Sequence, residues 1–139
     1  MYMKDFPEQD SFQDYRGKTI SFKYDLFDAK SLFSLHAREI TNSDFGREFT
    51  AYDIISPANA LAKIRAKIKE ELNKRYFAEE DGRDFAEMNF DYFRGNITCD
   101  IENHEACLIV DGKKMSMYDL EKILSSHEGF QIEIKITEE

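Results

Sequence analysis

The sequence predicts an α+β fold with a mostly antiparallel sheet of about five to six strands and two helices packed on one face. Three observations lead to this prediction. Apolar residues alternate over Thr19 to Phe27 and again over Phe130 to Ile136, which is typical of half-buried strands. The pair Ser56-Pro57 marks a helix start before an apolar stripe with helical spacing. The stretch from Gly95 to Ile136 follows the order strand, strand, helix, strand.

A length of 139 residues indicates one domain. Residues 1–17 are polar, acidic and aromatic without a period, so we expect an irregular N-terminal arm there and a single α+β domain over residues 18–139. Three strands are predicted at Thr19 to Phe27, Leu32 to Ile40 and Arg47 to Ile55. As an alternative to the second strand, Ser31 to Leu35 could start a short helix. The expected inward side chains of the first strand are Ile20, Phe22, Tyr24 and Leu26.

The first helix has Ser56 as its N-cap and Pro57 at its first position, and we expect it to end near Arg75. Its apolar stripe faces the sheet, and its other faces are rich in lysine and arginine. Two interpretations of the basic faces are open: a solvated surface, or an interaction face for an acidic partner or a phosphate backbone. The stripe consists of Leu61, Ile64, Ile68 and Leu72.

Residues 78–93 combine carboxylates with aromatic rings and show no helix or strand period. Carboxylates can steer a basic protein towards the surface, and exposed rings can then anchor it. The alternative is that the rings cap the core and the carboxylates only solvate the domain. The candidate partner-binding residues are Glu79, Glu80, Asp84, Phe85, Phe90 and Tyr92.

A hairpin is predicted from two strands, Asn96 to Ile101 and Ala106 to Val110. The register that pairs apolar residues places Ile97 opposite Val110 and Cys99 opposite Leu108. Cys99 and Cys107 then lie on opposite faces, and we expect two free thiols, with Cys99 buried. Opposite faces also argue against a metal site formed by the two cysteines with His104.

The hairpin is followed by a turn, a short helix and a last strand. Asp111-Gly112 is a turn dipeptide, and Ser116 is the expected N-cap of a helix with Asp119 three residues later. Gly129 suits the position just past the end of that helix. The last strand, Phe130 to Ile136, is predicted to belong to the core. Its inward residues would be Ile132, Ile134 and Ile136.

Three short stretches and three single residues of the C-terminal part resemble a known family. They are Ile109-Val110-Asp111-Gly112-Lys113, Glu128-Gly129-Phe130 and Ile134-Lys135-Ile136, with Ser116, Leu120 and Leu124. The stretch resembles a family of small uncharacterised bacterial domains of unknown function. The stretch from Asp53 to Lys69, which opens the first helix, is similar more loosely. The resemblance implies a fold and a bacterial origin, and it implies no activity and no site residues.

The composition narrows the class of partner. The net charge of −9, from 28 acidic and 19 basic residues, disfavours nucleic acid and anionic lipid and permits a basic protein partner. Because the chain has no long apolar run and its first residues lack a signal-peptide core, we expect a cytoplasmic protein with no membrane association.

Motifs for phosphate binding, dinucleotide binding, nucleophilic catalysis and zinc binding are missing from the sequence. We therefore assign no catalytic residue, no metal ligand and no cofactor, and we interpret His36 and His127 as structural. The function that fits is a non-catalytic interaction module, such as an adaptor or an inhibitor-like protein. The alternative is an enzyme or small-ligand-binding protein with a site between sheet and helices. The oligomeric state is left open.

Overall fold

The computed structural model describes residues 6–78 and 82–138. The fold is α+β, as predicted, but its strands form two antiparallel sheets and not one. The chain divides into two compact units, unit 1 up to Lys74 and unit 2 from Arg75 to Thr137. Each unit has its own cluster of buried side chains. The division into an arm at 1–17 and one domain at 18–139 stays a prediction.

Unit 1 contains a four-stranded meander: β1 (Gln9–Gln13), β2 (Thr19–Ala29), β3 (Leu32–Glu39) and β4 (Glu48–Asp53). Within the predicted N-terminal arm, residues 9–13 form a regular strand that pairs with β2 and places Phe12 opposite Ile20. Phe12 is buried, and its ring meets Phe22 edge to face at 6.0 Å. The burial of this ring explains why a short polar segment is ordered as a strand.

The second and third predicted strands are confirmed as β3 and β4, so the alternative of a short helix at Ser31 to Leu35 was wrong. Leu35 lies in the centre of the sheet opposite Leu26 and Ala51, and it is fully buried. A strand buries this residue between two neighbours, and that gain decides between the two local conformations.

Helix α1 (Pro57–Leu72) packs on β3 and β4 of unit 1. The Ser56 hydroxyl accepts a hydrogen bond from the Asn59 N–H at 3.1 Å, which confirms the predicted cap. The helix ends at Leu72, before the expected end near Arg75. The buried face follows the predicted stripe, with Leu61 only partly buried. Its fully buried members are Ala60, Ile64, Ile68 and Leu72.

Unit 2 contains a three-stranded sheet of β5 (Asn96–Asp100), β6 (Glu105–Val110) and β7 (Lys113–Met115), followed by helix α2 (Met117–Ser125). The sequence did not predict β7. Asp111 and Gly112 form the turn between β6 and β7 with φ of 54° and 74°, as their residue types suggest. The capping box of α2 is present: Asp119 accepts from the Ser116 N–H, and Ser116 accepts from the Asp119 N–H.

The register of the β5–β6 hairpin differs by two residues from the prediction. Ile97 lies opposite Leu108 and Cys99 lies opposite Ala106. The carboxylate of Asp100 accepts hydrogen bonds from the backbone and the side chain of Asn103, so the turn begins one residue earlier than expected. The cysteines lie on opposite faces, as predicted, and both are free thiols. However, Cys99 is exposed and Cys107 is buried, the reverse of the expectation for Cys99.

The last predicted strand was wrong as a core strand. In the described part of the chain, residues 131–138 join no sheet, and the apolar side chains from Phe130 onward are exposed. Alternation shows which side chains would share a face, but it does not supply a sheet edge for the backbone to pair with. The exposed residues are Phe130, Ile132, Ile134 and Ile136.

Candidate protein-interaction surface

The described residues from Arg75 to Phe93 carry two layers of aromatic rings within unit 2. The inner layer is formed by Phe77 with Phe85 and Phe93, at ring-centroid distances of 5.2 Å and 5.3 Å. Phe77 and Phe85 belong to the buried core of the unit, and Phe93 packs against that core. These rings anchor the segment in the core and thereby fix the position of the second layer.

The backbone of this segment is held at both of its ends. Asp111 Oδ1 accepts a hydrogen bond from the Tyr76 N–H, and Oδ2 accepts one from the Phe77 N–H, both at 2.9 Å. The Asn89 N–H donates to the Tyr76 carbonyl oxygen at 2.8 Å, and the Ala78 N–H donates to Glu87 at the same distance. These bonds join residues 76–78 to residues 87–89 and to the β6–β7 turn.

The outer layer consists of Tyr76, Phe90 and Tyr92. The Tyr76 ring is buried and touches both other rings edge to face, at centroid distances of 6.1 Å to Phe90 and 5.7 Å to Tyr92. Phe90 and Tyr92 are also in contact with one another at 5.6 Å. They keep 44% and 43% of their surface exposed. We call these two residues the aromatic pair.

The structure brings some of the predicted site residues together and separates others. Phe90 and Tyr92 form the aromatic pair. Phe85 lies in the core at 7% exposure, with its backbone in the left-handed region at φ 59°, so its ring is not available at the surface. Asp84 is exposed and forms an ion pair with Lys113 at 2.9 Å. Glu79 and Glu80 lie outside the described residues.

A small cleft in unit 2 lies beside the inner layer. It is lined by Phe77, Ala78 and Phe85 together with five charged residues. The charged groups are engaged: Arg75 Nε donates to the Phe77 carbonyl oxygen at 2.5 Å, Asp111 holds two backbone amides, and Lys113 is paired with Asp84. The charged lining residues are Arg75, Arg83, Asp84, Asp111 and Lys113.

The basic faces of α1 bind the sheet of unit 1. Lys63 Nζ donates to the Tyr52 carbonyl oxygen at 2.7 Å, and Lys67 Nζ donates to the Thr50 carbonyl oxygen at 2.8 Å. Arg65 Nε donates to Asp10 Oδ2 at 2.6 Å. Of the two interpretations of these faces, the contacts disfavour the interaction face, because these three cations already have partners in the same unit.

Asp10 shows how the pairing in unit 1 affects ionisation. Burial alone would raise the pKa of the Asp10 carboxyl, but hydrogen bonds from Arg65 and Tyr24 hold that pKa below its ordinary value. The Tyr24 hydroxyl donates to Asp10 at 2.7 Å, and burial together with this bond raises the tyrosine pKa. The three side chains therefore form a closed network that includes no free base or nucleophile.

Two other carboxyl groups are held ionised by local donors. The Ser56 and Ile55 N–H groups and Lys63 lower the pKa of Asp53 to about 2. Lys114 and Asn103 lower the pKa of Asp100 to about 2. Each carboxylate closes a turn or loop, so the shifts report structural roles.

The described histidines and cysteines also have structural surroundings. His36 contacts Glu48 at 2.9 Å through Nε2 and Thr50 at 3.1 Å through Nδ1, so both ring nitrogens are engaged. His127 Nδ1 lies 2.7 Å from the Ile123 carbonyl oxygen. Burial raises the pKa of the Cys107 thiol, which makes this thiol less reactive. Residues 6–78 and 82–138 contain no group of three or more side chains that could hold a metal ion.

Comparison with known proteins identifies a similarity for the C-terminal part of the chain. Residues 76–139 match the model of a family described as a domain of unknown function (DUF7713). The match starts one residue after the start of unit 2, so the unit and the family region coincide at this boundary. It includes the motifs that carry the resemblance, whereas the helix from Asp53 to Lys69 lies outside it. No curated protein and no solved structure matches the chain.

The helices of the described residues are too short and too polar to cross a membrane.

Sequence reasoning missed two members of the surface, Tyr76 and Asp111. Tyr76 follows the end of α1, where no period singles it out. Asp111 was interpreted as a turn former only, although an aspartate at positive φ leaves its carboxylate free to accept from a neighbouring backbone.

Proposed function

We propose that the protein is a non-catalytic protein-interaction module that binds a basic protein partner through the aromatic pair, Phe90 and Tyr92. One observation carries the proposal: two half-exposed rings stand in contact on a buried third ring, Tyr76. Aromatic residues at fixed positions are the side chains that most often dominate binding energy at protein interfaces.

The fixed position of the pair favours binding. A partner that covers Phe90 and Tyr92 does not have to order them, because Tyr76 already restricts both rings. The ordering of a side chain at an interface costs about 0.5–1.5 kcal/mol, so a rigid pair retains more of its contact energy. The pair thus combines exposed apolar area with a small entropic cost.

Charge supports a basic partner. The net charge is −9, and the exposed carboxylates of Glu87 and Asp91 lie in the same segment as the pair. Long-range attraction to an acidic surface raises the rate of encounter with a basic protein, and salt reduces this effect. Asp84 contributes less than an isolated carboxylate because Lys113 pairs with it.

The alternative function, a small-ligand or enzyme site, would use the cleft of unit 2. Four of the five charged residues that line this cleft bind one another or the backbone of the same unit, which leaves fewer polar groups to converge on a ligand. This favours the interaction module.

The experiment is crosslinked capture from the native host with three baits: the wild type, Phe90→Ser/Tyr92→Ser, and Tyr118→Ser. Tyr118 is an exposed ring in α2 of the same unit and serves as the matched control. We expect a basic protein that the wild type and the control retain and the double variant loses. Its association rate should fall as salt is raised. Equal capture by all three baits would exclude the aromatic pair as the docking surface.

A further inference from the structure

Apolar and polar residues alternate over the segment 131–136 as in a strand, but the segment pairs with no described strand. Between Gln131 and Ile136 no hydrogen bond is made to any described residue. Ile134 keeps 78% of its surface exposed, and Ile132 and Ile136 are similarly exposed. Unpaired amides beside an exposed isoleucine row are the features that lead a strand to pair with another chain.

We propose that two copies of this chain associate by antiparallel pairing of residues 132–136, with the twofold axis at Ile134. In this register Ile132 of one copy lies opposite Ile136 of the other, and the two Ile134 side chains face each other. Glu133 lies opposite Lys135, and the symmetry repeats this charge pair on the other side of the axis. A twofold interface of this kind uses the same segment of each copy.

The side chains specify this register over its neighbours. A shift that centres the pair on Glu133 or on Lys135 places like charges directly opposite one another. A shift to an axis between residues places isoleucine opposite a polar residue, because side chains alternate with a period of two. Parallel in-register pairing would stack Glu133 on Glu133 and Lys135 on Lys135. The antiparallel register centred on Ile134 avoids these costs.

Two strands alone make a small interface, so the association is concentration dependent. Analytical ultracentrifugation over protein concentrations from about 10 μM to about 1 mM spans the range expected for a weak dimer. We expect the wild type to shift from monomer to dimer and Ile134→Asp to stay monomeric. Ile101→Asp, at an equally exposed isoleucine of the β5–β6 turn, should dimerise like the wild type. A wild type that is monomeric throughout, or an Ile134→Asp variant that dimerises equally well, would overturn the proposal.

A charge exchange tests the register itself. Glu133→Lys and Lys135→Glu should each weaken the homodimer, roughly 3- to 30-fold, because each creates two like-charge pairs. The double exchange should restore the affinity, and an equimolar mixture of the two single variants should form the heterodimer preferentially. Equal affinities of all four proteins would exclude Glu133 opposite Lys135.

Disulfide mapping distinguishes this interface from strand addition at β5. Residues directly opposite in an antiparallel pair have Cα atoms about 4.5–5.5 Å apart, which a disulfide can bridge. Mild oxidation of Ile134→Cys should give a dimer linked through position 134 in both copies. The exposed native Cys99 in β5 acts as an internal reporter. An intermolecular link between position 134 and Cys99 would show that the segment adds to β5 of the other copy and would overturn the proposed pairing.

Discussion

The carboxylate of Asp111 holds the backbone of Tyr76: its Oδ1 accepts the tyrosine N–H at 2.9 Å. The second oxygen accepts the N–H of Phe77 at the same distance. The β6–β7 turn therefore positions the start of the aromatic segment, and through Tyr76 it supports the aromatic pair. One carboxylate at a turn with positive φ links the small sheet of unit 2 to its candidate surface.

Replacement of Asp111 should therefore destabilise unit 2. Asp111→Ala removes two hydrogen bonds to a charged acceptor and places alanine at φ 54°, so we expect a loss of about 2–4 kcal/mol in the free energy of unfolding. Urea unfolding measures the loss. Asp111→Asn tolerates the same φ and keeps one acceptor, so it should lose less. If the two variants lose the same amount, the acceptor that asparagine keeps and its tolerance of positive φ contribute nothing.

The core of unit 1 and the segment 131–136 should respond differently when a side chain is shortened. Ile64→Ala should cost about 2–5 kcal/mol because Ile64 is fully buried on the face of α1 that packs on the sheet of unit 1. Ile134→Ala should change the unfolding free energy of the monomer by less than about 0.5 kcal/mol because its side chain is exposed. Both are measured by urea unfolding at low protein concentration. A large loss for Ile134→Ala would place that side chain in a core.

Gly95 marks a close approach of two backbones in unit 2. A Cβ at this position would overlap the Ile109 carbonyl oxygen, which cannot rotate away. We expect Gly95→Ala to lower the free energy of unfolding by about 1–3 kcal/mol or more. Gly129→Ala is the matched control, because its surroundings are open and only its φ of 90° is strained; we expect a cost near 1 kcal/mol. A smaller loss at position 95 than at position 129 would contradict the predicted overlap.

The sequence predicted the elements that depend on local pattern and missed those that depend on pairing. The caps at Ser56 and Ser116 are confirmed because a hydroxyl three residues before a backbone N–H suffices to form them. The strand at Gln9–Gln13 was missed because its order depends on the contact of Phe12 with a neighbouring strand. The strand at 130–136 was overpredicted for the converse reason, since its alternation is complete but no described edge accepts it.

The candidate surface was predictable only as a composition. Residues 78–93 carry the rings and carboxylates that suggested it, yet sequence spacing does not separate the buried Phe85 from the half-exposed Phe90. That separation depends on Tyr76 and Asp111, which precede and follow the segment in the chain. The interaction between positions far apart in sequence determines which rings face solvent.

The carboxylate of Asp53 makes the loop before α1 sensitive to pH. The folded pKa of Asp53 is about 2, against an ordinary value of 3.8, because the Ser56 and Ile55 N–H groups and Lys63 favour the carboxylate. A lowered pKa means that the unfolded state takes up the proton first as pH falls. The stabilisation is therefore complete well above pH 3.8 and is lost as the pH falls through about 2.

We expect Asp53→Asn to be less stable than the wild type at pH 6 and the gap between the two proteins to shrink steadily between about pH 5 and pH 2. Thermal or urea unfolding at several pH values measures the gap. When both proteins also carry Lys63→Met, the stability gap between them should be smaller but still present, because the two backbone donors to Asp53 stay in place. A gap that is the same at pH 6 and at pH 2 would show that Asp53 titrates identically in the folded and unfolded chain.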